Sequence, residues 1–379
     1  MTAADYFSSS YTAAREKFRA AARVAGAAPE THRNPASGPA GEALSTDTAR
    51  LGPRDAARLL VTISATHGAE GFCGSGIQVG SLAAGLYGDL PPDTAVLAVH
   101  AINPHGFAWL RRVAEGNVDL NRNYVDHAAP YPANDGYETL RDAICPRAWT
   151  DAALARAQAV LDAYAAEHGD MALQAAMSAG QYTHPDGVFY GGRAPIWSHR
   201  TLIDILRREG AGAARVAVID LHSGLGPYGH GEIINDHAPG TAGFGRVVAW
   251  YGDEATSSEA GTSTSAVVQG HTLLGVLGAL PGAEVTGITL EYGTAALDEV
   301  LTALRADNWL HRHGDPESAQ GREIKARLRR AFYPDADDWK AMVWERAAEV
   351  QRRALAGLTA AEKKGDIPNF PGHRRTKGT

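Results

Sequence analysis

A chain of 379 residues, 44% of them apolar, can bury one large α/β core or two ordinary ones, which excludes a disordered or fibrous protein. With 36 Lys and Arg against 43 Asp and Glu the formal net charge is −7, which argues against nucleic acid or an acidic membrane surface as the main partner. Two cysteines, Cys73 and Cys145, without a CxxC pair leave neither a disulfide framework nor a thiolate metal site, as suits a reducing compartment.

The first residues, MTAADYFSSSYTAAREKF, lack the basic start and apolar stretch of a secretory signal, so a cytoplasmic protein is expected. Apolar runs such as RLLVTISA and ARVAVIDL stop far short of the roughly 18 apolar residues that cross a bilayer, so no membrane partner is expected. Residues 5–25 have the apolar spacing of a helix, and a polar stretch rich in Pro, Gly and Thr follows over 28–49. Residues 1–50 are therefore expected to form an N-terminal helical arm packed on the domain. From residue 58 the texture changes to short β-rich runs near 58–65, 94–102, 215–220, 245–251 and 284–291, alternating with helical patterns near 75–87, 153–168 and 199–209. This alternation predicts an α/β fold, a single domain over 51–365 with a mixed, largely parallel central sheet covered by helices on both faces. Residues 320–356 read as further helix, and residues 366–379, with the basic cluster HRRTK, as a flexible tail.

In open α/β sheets ligands bind beyond the carboxyl ends of the strands, so polar groups that directly follow an apolar run carry the most weight. LLVTISAT is followed by His67, Gly68, Ala69, Glu70 and Gly71; RVAVID by Leu221, His222, Ser223 and Gly224; and EVTGITL by Glu291, Tyr292, Gly293 and Thr294. An imidazole and a carboxylate separated by two residues in a glycine-bearing turn can meet on one metal ion, and a histidine from another strand completes three ligands. These residue types suit zinc better than copper or magnesium. Each piece alone also has a bland reading: His67 and Glu70 as a solvated turn, and His222 as a core histidine partnered by Asp220.

The segment NPHGFAWLRRVAEGNVDLNRNY over 103–124 sets Arg111, Arg112, Asn121 and Arg122 in a short compass. Asn103-Pro104 and VDLNRN resemble the substrate-binding segment of the zinc carboxypeptidases, the carboxypeptidase A-like superfamily, whose pattern is NPDG, an arginine, then GVDLNRN. HGAEG before it, DLHSG after it and TLEYGT last complete four blocks in that family's order, over roughly residues 58–300 and closest to a bacterial branch. The resemblance implies one zinc ion held by His67, Glu70 and His222, with Glu291 as general base. It implies that Asn121 and Arg122 hold the substrate's carboxylate and that Arg112, with Arg111 as fallback, polarises the scissile carbonyl.

The activity implied by the resemblance is that of a zinc metallohydrolase that cleaves an amide or peptide bond next to a free carboxylate, acting on a small peptide. A deacylase of a small N-acyl amino acid uses the same ligands and glutamate and stays open as the alternative. A non-catalytic metal-binding module has no use for Glu291. Three departures, His105 for the aspartate of NPDG together with Ala114 and Asn117, fall in the loop expected to shape substrate contacts. The tyrosine that superfamily peptidases carry upstream of the base has no evident match: Tyr251 lies 40 residues before Glu291, and SSEAGTSTSAVVQG contains none. Tyr182, Tyr190, Arg193 and Arg200, in the glycine-bearing stretch 181–200, read as structural loop ahead of pocket lining. GFCGSG at 71–76 lacks the order of a dinucleotide fingerprint, and there is no GxSxG elbow. Cys73 reads as a small buried filler. Oligomeric state is open, a homo-oligomer included.

Overall fold

Runs of aliphatic and β-branched residues with hardly a polar break belong to strands covered on both faces, and they form the centre of the sheet. In the computed structural model, which describes residues 2–360, these are β3 (Arg58–Ser64), β4 (Thr94–His100), the first part of β5 (Arg215–Tyr228) and β8 (Glu284–Gly293). They follow β1 (Glu30–Ser37) and β2 (Ala43–Leu51), while β6 (Gly231–Asn235) and the two-residue β7 (Ala255–Thr256) fall between β5 and β8 in the chain. The spatial order is β1-β2-β4-β3-β5-β8-β6-β7. The four central strands run parallel, β1, β2 and β6 join antiparallel, and β7 lies parallel to β6. This is the expected mixed α/β sheet.

Strand alternation sends successive side chains to two separate cores. Leu60, Ala217 and Ile219 face one side, under the helices Gly71–Ala83 and Asp337–Thr359; Leu59, Val61, Val216 and Val218 face the other, under Trp197–Gly210 and Thr272–Ala279. A third cluster, built from Asp135–Ile144, Leu297–His313 and Ala319–Phe332, stands at one end of the sheet.

Several elements differ from expectation. The helix Tyr11–Val24 is present, but much of the stretch expected to be a polar linker is β1 and β2, and β2 pairs with β4. The polar residues of β2 are consumed by packing: buried Asp47 takes Arg15 Nε at 2.6 Å and Thr31 Oγ1 at 2.5 Å, with Arg19 beside them. The run near 245–251 is the helix Ala242–Tyr251, started by Thr241 Oγ1 accepting from Phe244 N at 3.3 Å. β6 and β7 have no counterpart among the expected strands. Residues 320–356 are two helices, Ala319–Phe332 and Asp337–Thr359, parted around Pro334. The tail expected at 366–379 lies outside the described residues. Among the described residues no helix is long and apolar enough to cross a membrane.

The fold positions the site through one fact of register. β3, β5 and β8 are parallel neighbours with Ser64 opposite Leu221 and His222 opposite Glu291, so their carboxyl ends open on the same edge.

Candidate active site

After β3 the chain turns sharply through Ala65 (φ 58°) into a short 3-10 turn, Gly68–Glu70, that leads straight into the helix Gly71–Ala83. Gly68 is required by space: a Cβ there would lie 1.9 Å from the carbonyl carbon of Gly106. The turn is thereby pressed on the helix Pro104–Ala108, and His67 and Glu70 both end buried. β5 continues past His222, so Asp220 and His222 share a face. The β5–β8 ladder is then interrupted between Ser223 and Tyr228, and the freed N–H of Leu225 donates to Glu291 Oε1 at 3.0 Å.

The two histidines converge on one carboxylate. His67 Nδ1 lies 2.9 Å from Glu70 Oε1 and His222 Nδ1 2.9 Å from Glu70 Oε2, and one ligand atom from each of the three residues falls within 4.8 Å of the others. Behind each ring stands another carboxylate. His67 Nε2 is 3.1 Å from Asp119 Oδ1; His222 Nε2 is 3.0 Å from Asp220 Oδ2, a charge contact not aligned as a hydrogen bond. Thr66 Oγ1 donates to the other oxygen of Asp220 at 2.7 Å. Asp119 also accepts from Arg112 Nε at 2.9 Å, and Arg112 Nη1 reaches Glu70 at 3.4 Å.

Electrostatics follow from that crowding. Burial pushes the Glu70 carboxyl up, but His67 and His222 outweigh it and hold it well below the usual range. Asp119 is likewise held low, against burial, by Arg112 and then His67. Burial lowers His222, and Asp220 with Glu70 more than reverse this, so the imidazole is pushed well up. Glu291 lacks a cation of its own, and burial followed by the charge of Glu70 raises it to about 8.

Four buried carboxylates, Glu70, Asp119, Asp220 and Glu291, thus surround two imidazoles and one guanidinium. Each imidazole has its Nε2 beside a carboxylate and its Nδ1 toward Glu70, which leaves the two Nδ1 atoms and the Glu70 carboxylate as the inward-facing donor atoms. The donor set of two ring nitrogens and a carboxylate, with carboxylates orienting both rings, fits a divalent metal ion.

The same cleft, enclosing about 1020 Å³ that includes its open mouth, is lined by His67, Glu70, Arg112, Asn121, Arg122, His222 and Glu291. Arg122 is buried, its Nε and Nη2 donating to the carbonyl of Ser178 at 3.1 and 2.6 Å and its Nη1 to that of Asn121 at 2.9 Å. Burial lowers its pKa to about 10, which leaves it cationic at neutral pH. Asn121 spends its carbonyl oxygen on Thr272, accepting from the backbone N at 2.8 Å.

Arg111, the expected fallback, is a correction: it lines no part of this cleft. Its Nε pairs with buried Asp307 at 3.1 Å and its Nη2 donates to Asn117 at 3.1 Å, because Asp307 on the helix Leu297–His313 draws it away from His67, Glu70 and His222. His105, Ala114 and Asn117 also stand outside the cleft, so the departures from the motif do not reach its lining. No tyrosine lines the cleft among the described residues, and Tyr251 is buried in the core. Tyr182 instead stands behind Arg122, its hydroxyl donating to the carbonyl of Arg122 at 2.7 Å.

Two residues went unread in the sequence. Asp119 orients His67, and a carboxylate inside VDLNRN beside an expected site arginine was the available signal. Phe189 packs under both arginines, with Arg112 and Arg122 carbons 5.1 and 5.5 Å from its ring centre; nothing in its local sequence distinguishes it.

The chain belongs to the protein family of unknown function DUF2817, which it matches over residues 7–346. No curated protein matches it. Among solved structures it is similar to carboxypeptidase A from Helicoverpa armigera, with 13% identity over 86% of this chain and 74% of that one and a TM-score of 0.43. Glutaminyl cyclase from Fimbriiglobus ruber matches with 11% identity over 91% and 86% and a TM-score of 0.38. Murein-tripeptide amidase MpaA from Escherichia coli O157 matches with 15% identity over 78% and 91% and a TM-score of 0.31. Likenesses this distant carry no weight for activity, which has to be read from the site.

Proposed function

We propose that this chain is a zinc-dependent hydrolase that cleaves an amide or peptide bond next to a free carboxylate. The observation that carries the reading is the meeting of His67 Nδ1 and His222 Nδ1 on Glu70, with Glu291 on the neighbouring strand and Arg112 and Arg122 in the same cleft. Zinc, when held by His67, Glu70 and His222, supplies a Lewis acid that lowers the pKa of water toward about 7 and polarises a carbonyl.

The chain's own residues do the rest. Glu291 takes a proton from the attacking water and returns it to the leaving amine, work typically worth about 10²- to 10⁴-fold. A carboxyl raised toward neutrality suits both halves of that task. Arg112, fixed by Asp119 and by the ring of Phe189, presents positive charge to the developing oxyanion. Arg122, whose fork is set by two backbone carbonyls, holds the substrate's carboxylate with Asn121. That no tyrosine lines the cleft among the described residues favours, as a second reading, a small N-acyl amino acid as the molecule cut.

The test is a mixed library of peptides and N-acyl amino acids presented to the zinc-loaded protein, with Glu291→Gln as control. Turnover that falls at least about 10²-fold in the variant supports the reading. Turnover unchanged in Glu291→Gln defeats the proton relay.

A further inference from the structure

The far wall of the cleft holds a group that the proposed reaction does not use. Asp236 follows β6 directly and lines the cleft beside Thr289, whose Oγ1 donates to Asp236 Oδ2 at 2.7 Å. Thr289 precedes Glu291 by two residues on β8, so both point to the same side of the sheet. Asp236 Oδ1 accepts no hydrogen bond among the described residues, although a carboxylate offers about four acceptor positions. Next to it stands His271, whose Nδ1 is buried without a partner. His271 immediately precedes Thr272, the residue that Asn121 holds, so this recess and the carboxylate clamp share a wall.

The charge of the recess is one-sided. Glu259 sits at its exposed rim, and Asp220 and Glu291 lie toward the metal trio. The imidazoles that face it, His271 and His237, are both pushed below their usual range by burial and bring no proton at neutral pH. Among the described residues no lysine lines the cleft, and its two arginines, Arg112 and Arg122, are tied to Asp119 and to backbone carbonyls. Burial raises the Asp236 carboxyl, so a ligand cation would complete a site that the protein leaves without one.

We propose that Asp236, with the free nitrogen of His271, selects a basic side chain, an amine or guanidinium, on the molecule whose carboxylate Arg122 and Asn121 hold. This rests on the hydrolase reading only in taking Arg122 as the carboxylate's partner. An ionised carboxylate meeting a guanidinium makes charge-assisted hydrogen bonds that a neutral urea cannot match, so the side chain's charge sets the preference.

The experiment is titration calorimetry on zinc-loaded Glu291→Gln protein with Nα-acetyl-arginine and its neutral isostere Nα-acetyl-citrulline, repeated with Asp236→Asn added. The expected result is arginine bound at least about tenfold more tightly than citrulline. Asp236→Asn removes that ratio while citrulline affinity stays within about twofold, which also reports that the variant is folded. Citrulline binding as well as arginine, or Asp236→Asn weakening both alike, overturns the proposal. Should Asp236→Asn fail to fold, the arginine-to-citrulline ratio of the Asp236-bearing protein decides alone. Failure of the hydrolase reading shows separately, as no turnover of any amide by protein that keeps Glu291, and does not enter the binding ratio.

Discussion

At the scale of single residues the centre is a problem in charge. Glu291 shows this most directly, because its carboxyl is raised from an ordinary 4.5 to about 8 by burial and then by Glu70. A raised acid keeps its proton in the fold at pH values where the unfolded chain has lost it. Its contribution is therefore intact below about 4.5 and is lost as pH rises through about 8. Metal-free Glu291→Gln protein escapes this loss. Denaturant unfolding should show it matching the metal-free wild type near pH 4 and exceeding it at pH 8 by on the order of 1–3 kcal/mol. A difference that shrinks with rising pH would contradict the assignment. The clustering of His67, Glu70 and His222 was legible in the sequence because His67 and Glu70 follow β3 and His222 follows the apolar run of β5, on one edge of the sheet. Which of Arg111 and Arg112 faces the cleft was not: they are adjacent and identical, and what separates them is Asp307, far along the chain on another helix. The same holds for Asp220, whose pairing with His222 required β5 to continue past its apolar run, as it does.

Among the elements, the turn between β3 and the helix Gly71–Ala83 fixes the geometry of His67 and Glu70. Gly68→Ala drives a Cβ into the backbone of Gly106, where nothing flexible can yield. It should cost about 3 kcal/mol and loosen metal binding. Gly278→Ala, in the helix Thr272–Ala279 with open space around it, should instead stabilise by roughly 0.5–1 kcal/mol. Thermal unfolding of the two variants checks the contrast; equal effects would mean that the turn is not tightly held. Elements legible in the sequence were those with long apolar runs or clear helical spacing. The segment 245–251 misled because Val, Trp and Tyr favour strands, yet Thr241 caps a helix there and Phe244 and Val247 bury one face of it. β1 and β2 were hidden because their polar residues are satisfied by partners far off in the chain, as Asp47 is by Arg15.

Over the whole molecule, the first fifty residues bear on what counts as the folding unit. β2 covers an edge of β4, and Tyr6, Phe7, Tyr11 and Phe18 join the core under the helix Gly71–Ala83. Deleting residues 1–51 exposes that edge and opens that core, so the remainder should be insoluble or lack cooperative unfolding. A truncated protein that unfolds with the wild-type midpoint would make this segment a detachable arm after all. The sheet's parallel centre was foreseeable from the alternation of runs, whereas its antiparallel margins depend on pairings that no local pattern records.

The centre itself is most directly tested by measuring the metal content of the purified protein, of His222→Ala and of Glu291→Gln. About one zinc per chain in the wild type and in Glu291→Gln, with most of it lost from His222→Ala, is the predicted result. Unchanged loading in His222→Ala would contradict a metal held between His67, Glu70 and His222.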